Sequence, residues 1–199
     1  MFTGIIEHLG VVRKNTRKEL VLQASEISTK IKKGDSLAVN GVCLTLIKKE
    51  KDFLYFSLSQ ETIDKTNLGL LKPGSRVNLE MPLTLQTPLS GHLVTGHVDG
   101  KGKVIKVEKR GTGKRLFIYY PKDLRKYIIP KGSIAINGVS LTIASLSENH
   151  LEIELIPFTL EHTNLNLLKP GDIINIECDL IGKYLSQWFE QFAEKGRKK

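Results

Sequence analysis

Residues 36–46, Ser36-Leu37-Ala38-Val39-Asn40-Gly41-Val42-Cys43-Leu44-Thr45-Leu46, return at an offset of 97 as residues 133–143, Ser133-Ile134-Ala135-Ile136-Asn137-Gly138-Val139-Ser140-Leu141-Thr142-Ile143, with seven of eleven positions identical. A second block, Thr66 to Gly74, returns at the same offset as Thr163 to Gly171, with eight of nine positions identical. Thr3-Gly4 matches Thr95-Gly96 at an offset of 92, so the copies differ by insertions between their first strand and the Asn-Gly motif. Self-similarity at a fixed spacing means one structural unit built twice. The expected organisation is one domain over residues 1–90, a second over 91–182, and a terminal segment over 183–199. About 100 residues per copy suffice for each to bury its own core without disulfides or metals.

Within each copy the apolar residues alternate or run in short β-branched stretches separated by Gly, Asn, Asp and Pro, which is the pattern of strands. In the first copy strands are expected near residues 2–13, 18–24, 35–39, 42–48, 53–58 and 76–81. Asn40-Gly41 and Asn137-Gly138 read as type I′ hairpin turns, because both central residues of such a turn need positive φ. Thr66 to Gly74 reads as a short helical turn stopped by Pro73 and Gly74. Six short antiparallel strands per copy close most readily into a barrel, which removes exposed edges. The fold class expected is mainly β: two tandem six-stranded antiparallel closed barrels of Greek-key type, plus a C-terminal α-helix. That helix follows from Ile181, Tyr184, Leu185, Trp188, Phe189 and Phe192, which recur at helical spacing. Such a stripe either folds back on the barrels or packs on another subunit, and oligomerisation is the expectation for so large an apolar face.

Forty per cent hydrophobic and 26% charged residues, with no apolar run of 18, describe a globular chain without a membrane span. The start, Met1-Phe2-Thr3-Gly4-Ile5-Ile6-Glu7, lacks the basic opening and apolar stretch of a signal peptide and reads as an immediate strand. Cys43 and Cys178 are the two cysteines, too few for a disulfide framework, so a reducing, cytoplasmic setting is expected. The net charge of +9 raises nucleic acid as a partner. The basic residues are scattered, however, with small clusters at 30–33, 106–114 and the tail 197–199, and no basic stripe interleaved with aromatics appears. No nucleic-acid partner is expected.

Gly111-Thr112-Gly113-Lys114 resembles the end of a phosphate-binding loop, but position 108, where the first glycine belongs, is Glu108; the stretch reads as a hairpin turn. His92 and His97 stand five residues apart with no other ligand cluster nearby, so neither zinc nor iron is expected. His97 is either a polar group at a pocket or a hydrogen-bonded strand residue. Cys43, a Cys in a strand, reads first as a small buried residue and second as a nucleophile. The strand period sets Cys43 and Thr45, and likewise Ser140 and Thr142, on one face, with Leu44 and Leu141 on the other. Two such strands would form twin pockets able to read the amide edge of a flat heterocycle.

Met1 to Glu7, Asn40 to Thr45, Gly91-His92-Leu93-Val94-Thr95-Gly96-His97-Val98-Asp99-Gly100, Asn137 to Thr142 and the two Thr-Asn-Leu blocks, in this order, resemble the riboflavin synthase family of duplicated lumazine-binding proteins over nearly the whole chain. The resemblance implies dismutation of two molecules of 6,7-dimethyl-8-ribityllumazine by four-carbon transfer, giving riboflavin and 5-amino-6-(D-ribitylamino)uracil, with no metal and no cofactor. It implies a homotrimer in which the productive pair of rings lies between barrels of neighbouring subunits, and it leaves open association with a lumazine synthase shell. By resemblance, the first pocket uses Gly4, Ile5, Ile6, Cys43, Leu44, Thr45, Glu61 and Thr62. The second uses Lys126, Ser140, Leu141, Thr142, Ile156, Pro157 and Thr159, while Gly96, His97 and Val98 reach a neighbouring subunit's ligand. Ser36, Cys43, His97 and Asp179 match positions implicated in activity, with His97 as proton handler. Glu61 of the first copy faces Phe158 in the second, so unequal pockets are expected.

Two rival readings follow. A lumazine antenna protein of the same build would hold its ligand without turnover, and such proteins are expected to degrade the second motif, which is intact here as Asn137 to Thr142. A two-barrel nucleic-acid binder rests on fold analogy alone.

Overall fold

The structure, a computed structural model, describes residues 1–16 and 18–197, with backbone only from 193 onward. Lys198 and Lys199, the end of the expected basic tail, lie outside the described residues. The chain forms two closed antiparallel barrels of six strands each. The first contains β1 (His8–Asn15), β2 (Glu19–Gln23), β3 (Ser36–Val39), β4 (Val42–Glu50), β5 (Phe53–Ser57) and β6 (Arg76–Glu80). The second contains β7 (Gly100–Arg110), β8 (Gly113–Tyr119), β9 (Ser133–Ile136), β10 (Val139–Leu146), β11 (His150–Leu155) and β12 (Ile173–Cys178). Both follow one order, β1-β2-β5-β4-β3-β6 and its equivalent β7-β8-β11-β10-β9-β12, closed by the last strand pairing with the first. Three short helices, α1 (Ser25–Ser28), α2 (Gln60–Lys65) and α3 (Pro157–His162), pack on the barrel cores through Ile27, Ile63 and Leu160, and α4 (Leu180–Arg197) follows the second barrel. No helix among the described residues is long and apolar enough to cross a membrane.

The expected turns form. Asn40 and Gly41 have φ of 46° and 76°, and Asn137 and Gly138 have 47° and 79°, so each pair closes a two-residue hairpin. Equivalent register shifts fall in β1, β4, β7 and β10, as bulges that let short strands bend round a small barrel. Each barrel fills its own core: Val12, Leu20, Leu22, Leu37, Leu46, Leu54, Phe56, Val77 and Leu79 in the first, and Val104, Leu116, Ile118, Ile134, Ile143, Leu151, Ile153, Ile174 and Ile176 in the second. Burying each such side chain contributes about 1.5–3 kcal/mol.

One expectation needs correction. The strand foreseen over 2–13 begins only at His8; residues 2–7 leave the barrel and run between the two copies, where Phe2 pairs with Val94. The fully buried Phe2 joins Ala38, Val94 and Ala135 in a small core of its own between the barrels. The apolar residues Phe2, Ile5 and Ile6 resemble those of a strand, but they belong to a segment packed on two bodies rather than to a sheet.

The barrels join about an approximate twofold axis carried by six buried asparagines. Asn40 Oδ1 accepts from the Asn78 N–H and from Asn164 Nδ2, as Asn137 Oδ1 accepts from the Asn175 N–H and Asn67 Nδ2. Asn78 Nδ2 donates to the Asn137 carbonyl and Asn175 Nδ2 to that of Asn40, each at 2.9 Å. The Asn164 and Asn67 amides in turn donate to Asn78 Oδ1 and Asn175 Oδ1. Most polar groups of the network are hydrogen-bonded, as such deep burial requires, while Asn67 Oδ1 and Asn164 Oδ1 have no partner among the described residues.

Candidate functional site

Each copy opens with a Thr-Gly segment held by a buried carboxylate from its own last strand. Glu80 Oε1 accepts from the backbone and hydroxyl of Thr3 at 2.6 Å, and Oε2 accepts from the Gly4 N–H at 3.0 Å. Glu177 does the same for Thr95 and Gly96. Burial pushes both carboxyls above the ordinary glutamate value, and the bonds from these segments pull the other way.

Beyond the clamp, each segment crosses to the other barrel. The Gly4 carbonyl accepts from the Ser140 N–H at 2.7 Å, and the Gly96 carbonyl from the Cys43 N–H at 2.9 Å. The approach is close enough that a Cβ on Gly4 would lie 2.6 Å from that of Ser140, and one on Gly96 equally close to that of Cys43. Ile6 packs on the core of barrel two and Val98 on that of barrel one. Each pocket strand therefore receives its wall from the opposite copy.

This regroups the expected residues. Gly4 and Ile5 stand with Ser140, not with Cys43, and Ile5 lines a cleft of about 490 Å³ with Ser140, Leu141, Thr142, Ile156 and Thr159. Gly96 stands beside Cys43 of its own chain and brings the exposed His97 to that side, where the expectation sent the segment toward a neighbour. His97 is the positional equivalent of Ile5: the N–H of each donates to the hydroxyl of its own threonine, Thr95 or Thr3. Around Cys43, Leu44 is buried while Thr45 is exposed opposite the half-buried Ser36. Glu61 and Thr62 lie on α2, where Glu61 pairs with Lys65 and Thr62 joins the cap made by Ser59.

Several expected residues fall elsewhere. Lys126 does not reach the Ser140 cleft: its ammonium meets Glu190 of α4 at 2.8 Å and lies over the Tyr127 ring. Pro157 starts α3 and borders Lys114 rather than Ser140. Asp179 precedes α4, accepts from the Ile181 N–H at 3.0 Å, and lines a cleft with Ser133 and Tyr127. In one chain it is thus on the second barrel, away from Ser36 and Cys43. Phe158 stacks on His162 at a centroid distance of 4.1 Å.

Four residues stand at the site in roles the sequence does not mark: His92, Lys131, Glu80 and Glu177. His92 is buried, and its Nδ1 lies 2.7 Å from Ser140 Oγ; burial holds the imidazole below its ordinary value of 6.5, with the Asp179 carboxylate acting weakly the other way. Lys131 lines the second cleft at the position where barrel one has Gly34. Glu80 and Glu177 supply the clamps; a charged residue at equivalent sites of two apolar strands, offset by 97, was the available signal. Cys178 is inert by contrast, its buried thiol pushed up to about 12.

Twin barrels, twin pocket strands and crossed leading segments define a class of protein built to present two similar but unequal sites. The family model for the lumazine binding domain matches residues 3–82 and 95–179. The riboflavin synthase of Bacillus amyloliquefaciens is 37% identical over 195 residues, covering 96% of this chain and 91% of its own. That of Photobacterium leiognathi is 38% identical over 192 residues, covering 94% and 88%. Among solved structures, LumP complexed with riboflavin superimposes with a TM-score of 0.83 at 30% identity, and LumP complexed with 6,7-dimethyl-8-(1'-D-ribityl) lumazine with 0.81 at 28%, each covering 89% of this chain and 99% of its own. The chain belongs to the riboflavin synthase family, enzymes of the transferase class made of two lumazine-binding domains.

Proposed function

We propose that this chain binds 6,7-dimethyl-8-ribityllumazine in both barrels and converts two molecules of it into riboflavin and 5-amino-6-(D-ribitylamino)uracil. The observation that carries the reading is the pair of quasi-equivalent strands, Cys43-Leu44-Thr45 and Ser140-Leu141-Thr142, walled by Gly96-His97 and Gly4-Ile5 respectively. A reaction between two copies of one molecule needs two similar pockets, and it needs them to differ so that one ring gives the four-carbon unit and the other takes it. The two products together contain every atom of the two substrates, so the transfer consumes no co-substrate.

The protein's part is orientation and proton transfer. Holding two rings in reacting geometry is worth roughly 7–11 kcal/mol in favourable cases. His97 is the proton handler on the Cys43 side, where the other pocket has Ile5; an imidazole serves as acid and base in turn. Ser36 and Cys43 contact the ring held there. Asp179 is a further residue of the reaction, placed on the second barrel in the cleft with Ser133 and Tyr127. Residues 1–90 and 91–182 are the two ligand-binding domains. The assembly is a homotrimer formed through α4, whose Ile181, Tyr184, Trp188, Phe189 and Phe192 are 53–68% exposed in a single chain. A neighbour's second barrel then brings its ring against the first.

The test is incubation of the purified chain with the lumazine alone, following both compounds. One riboflavin for every two lumazines consumed supports the reading; tight fluorescent binding without turnover makes the chain an antenna protein, and absence of binding removes both.

A further inference from the structure

The crossing of the leading segments is symmetric up to one contact. Asp99 and Glu7 are equivalent residues, and the N–H of each donates to the equivalent carbonyl, Asp99 to Ile176 at 2.9 Å and Glu7 to Leu79 at 3.2 Å. Their side chains differ. Asp99 Oδ2 accepts from the Cys178 N–H at 2.8 Å, and Oδ1 accepts from Lys183 Nζ at 2.7 Å, in a pair about four-fifths buried. The Glu7 carboxylate is more exposed, and among the described residues it has no lysine or arginine partner, the His8 ring lying 4.0 Å away. Among the described residues, only the second copy therefore carries this extra anchor.

Lys183 belongs to α4, next to Gly182, where the helix lies so close to barrel two that a Cβ would sit 2.6 Å from the Tyr127 carbonyl. The Lys126–Glu190 pair holds the helix further along. Between the helix and the first pocket runs the stretch Thr95 to Asp99. Glu177 grips it at Thr95 and Gly96, Lys183 and Cys178 grip it at Asp99, and His97 stands between the two grips. Gly96, with φ of +81°, gives this stretch a freedom that the second grip removes.

Resting on the riboflavin-forming reading above, we infer that Lys183 and Asp99 are a positioning pair that fixes His97 beside Cys43 and so ties the seating of α4 to the first pocket. Charge-assisted hydrogen bonds suit such a task, being short and directional. Among the described residues barrel one has no matching pair at Glu7, and the residue its segment presents at the other pocket is Ile5, an apolar side chain that transfers no proton.

The experiment compares Lys183→Met, Lys183→Arg and Glu7→Gln in the full chain, by steady-state riboflavin formation and by amide hydrogen exchange. Lys183→Met is expected to lower kcat about tenfold with KM within about twofold, because Lys183 lines neither cleft and acts by displacing a reacting group. Lys183→Arg should recover most of the rate, and Glu7→Gln should match the unaltered chain. Exchange at His97 and Val98 should quicken in Lys183→Met while the barrel strands stay protected. Unchanged exchange there, a loss carried by KM, an arginine variant as slow as the methionine one, or general loosening of barrel two would overturn the inference. Should the unaltered chain form no riboflavin, the functional reading fails, and the exchange measurement still decides whether the pair holds His97.

Discussion

Gly41 and Gly138 meet back to back on the approximate twofold axis: a Cβ on Gly41 would lie 2.7 Å from the Gly138 nitrogen, and one on Gly138 2.6 Å from that of Gly41. Both glycines also have positive φ. Gly138→Ala therefore strains the backbone, at about 1–3 kcal/mol, and drives the barrels apart as well. Chemical denaturation should show a loss at the top of that range or beyond, whereas Gly74→Ala, with φ of 90° but open space around it, should show the backbone cost alone.

The asparagine network predicts matched losses. Asn78→Ala leaves the Asn164 N–H and the Asn137 carbonyl without their partners, and Asn175→Ala does the same to Asn67 and Asn40. Each buried group left unsatisfied costs about 1–3 kcal/mol. The two variants should lose similar stability in urea melts, and a several-fold disparity would mean that the two halves of the network are unequal.

His92 sets a pH signature. Its folded-state value is depressed by burial, so between that value and the ordinary 6.5 the unfolded chain binds more protons than the folded one. Stability is fully present above 6.5 and declines as pH falls through the window below it. In His92→Asn that part of the decline should vanish from melting temperatures recorded across mildly acidic pH; an unchanged slope would assign it to other groups.

The wall residues predict unequal consequences. His97→Gln should lower kcat by about 10²-fold, the scale of a lost acid–base group, and flatten the pH–rate profile. Cys43→Ser makes the first strand match the second and should change rate far less. Stopped-flow and steady-state assays on both variants check the pair.

How much of this was legible depends on which question is asked of a residue. Asn40-Gly41 and Asn137-Gly138 spoke clearly, because few residue pairs accept positive φ twice, and the α4 stripe followed from its spacing. The strands from 18 onward came within a few residues of their places. Residues 2–7 did not, since a short apolar segment looks alike whether it pairs in a sheet or is clasped between two barrels. The repeat showed that Gly4 corresponds to Gly96 and Cys43 to Ser140, yet equivalence says nothing about which barrel a segment rests on. The family resemblance groups Ile5 with Cys43, whereas the fold sets it beside Ser140. Asn67, Asn78, Asn164 and Asn175 looked like ordinary loop and strand polars, because their partners lie 38 to 135 residues away.

The crossed leading segments also bear on ancestry. A chain containing only residues 1–90 would fold a barrel whose pocket lacks one side, and the missing piece would have to come from a second such molecule giving up its own Thr-Gly arm in return. The present chain has the form of that reciprocal pair joined by a tether through residues 81–93. Once joined, the two arms were free to diverge, and the contrast between His97 and Ile5 is a difference that two identical molecules could never have held.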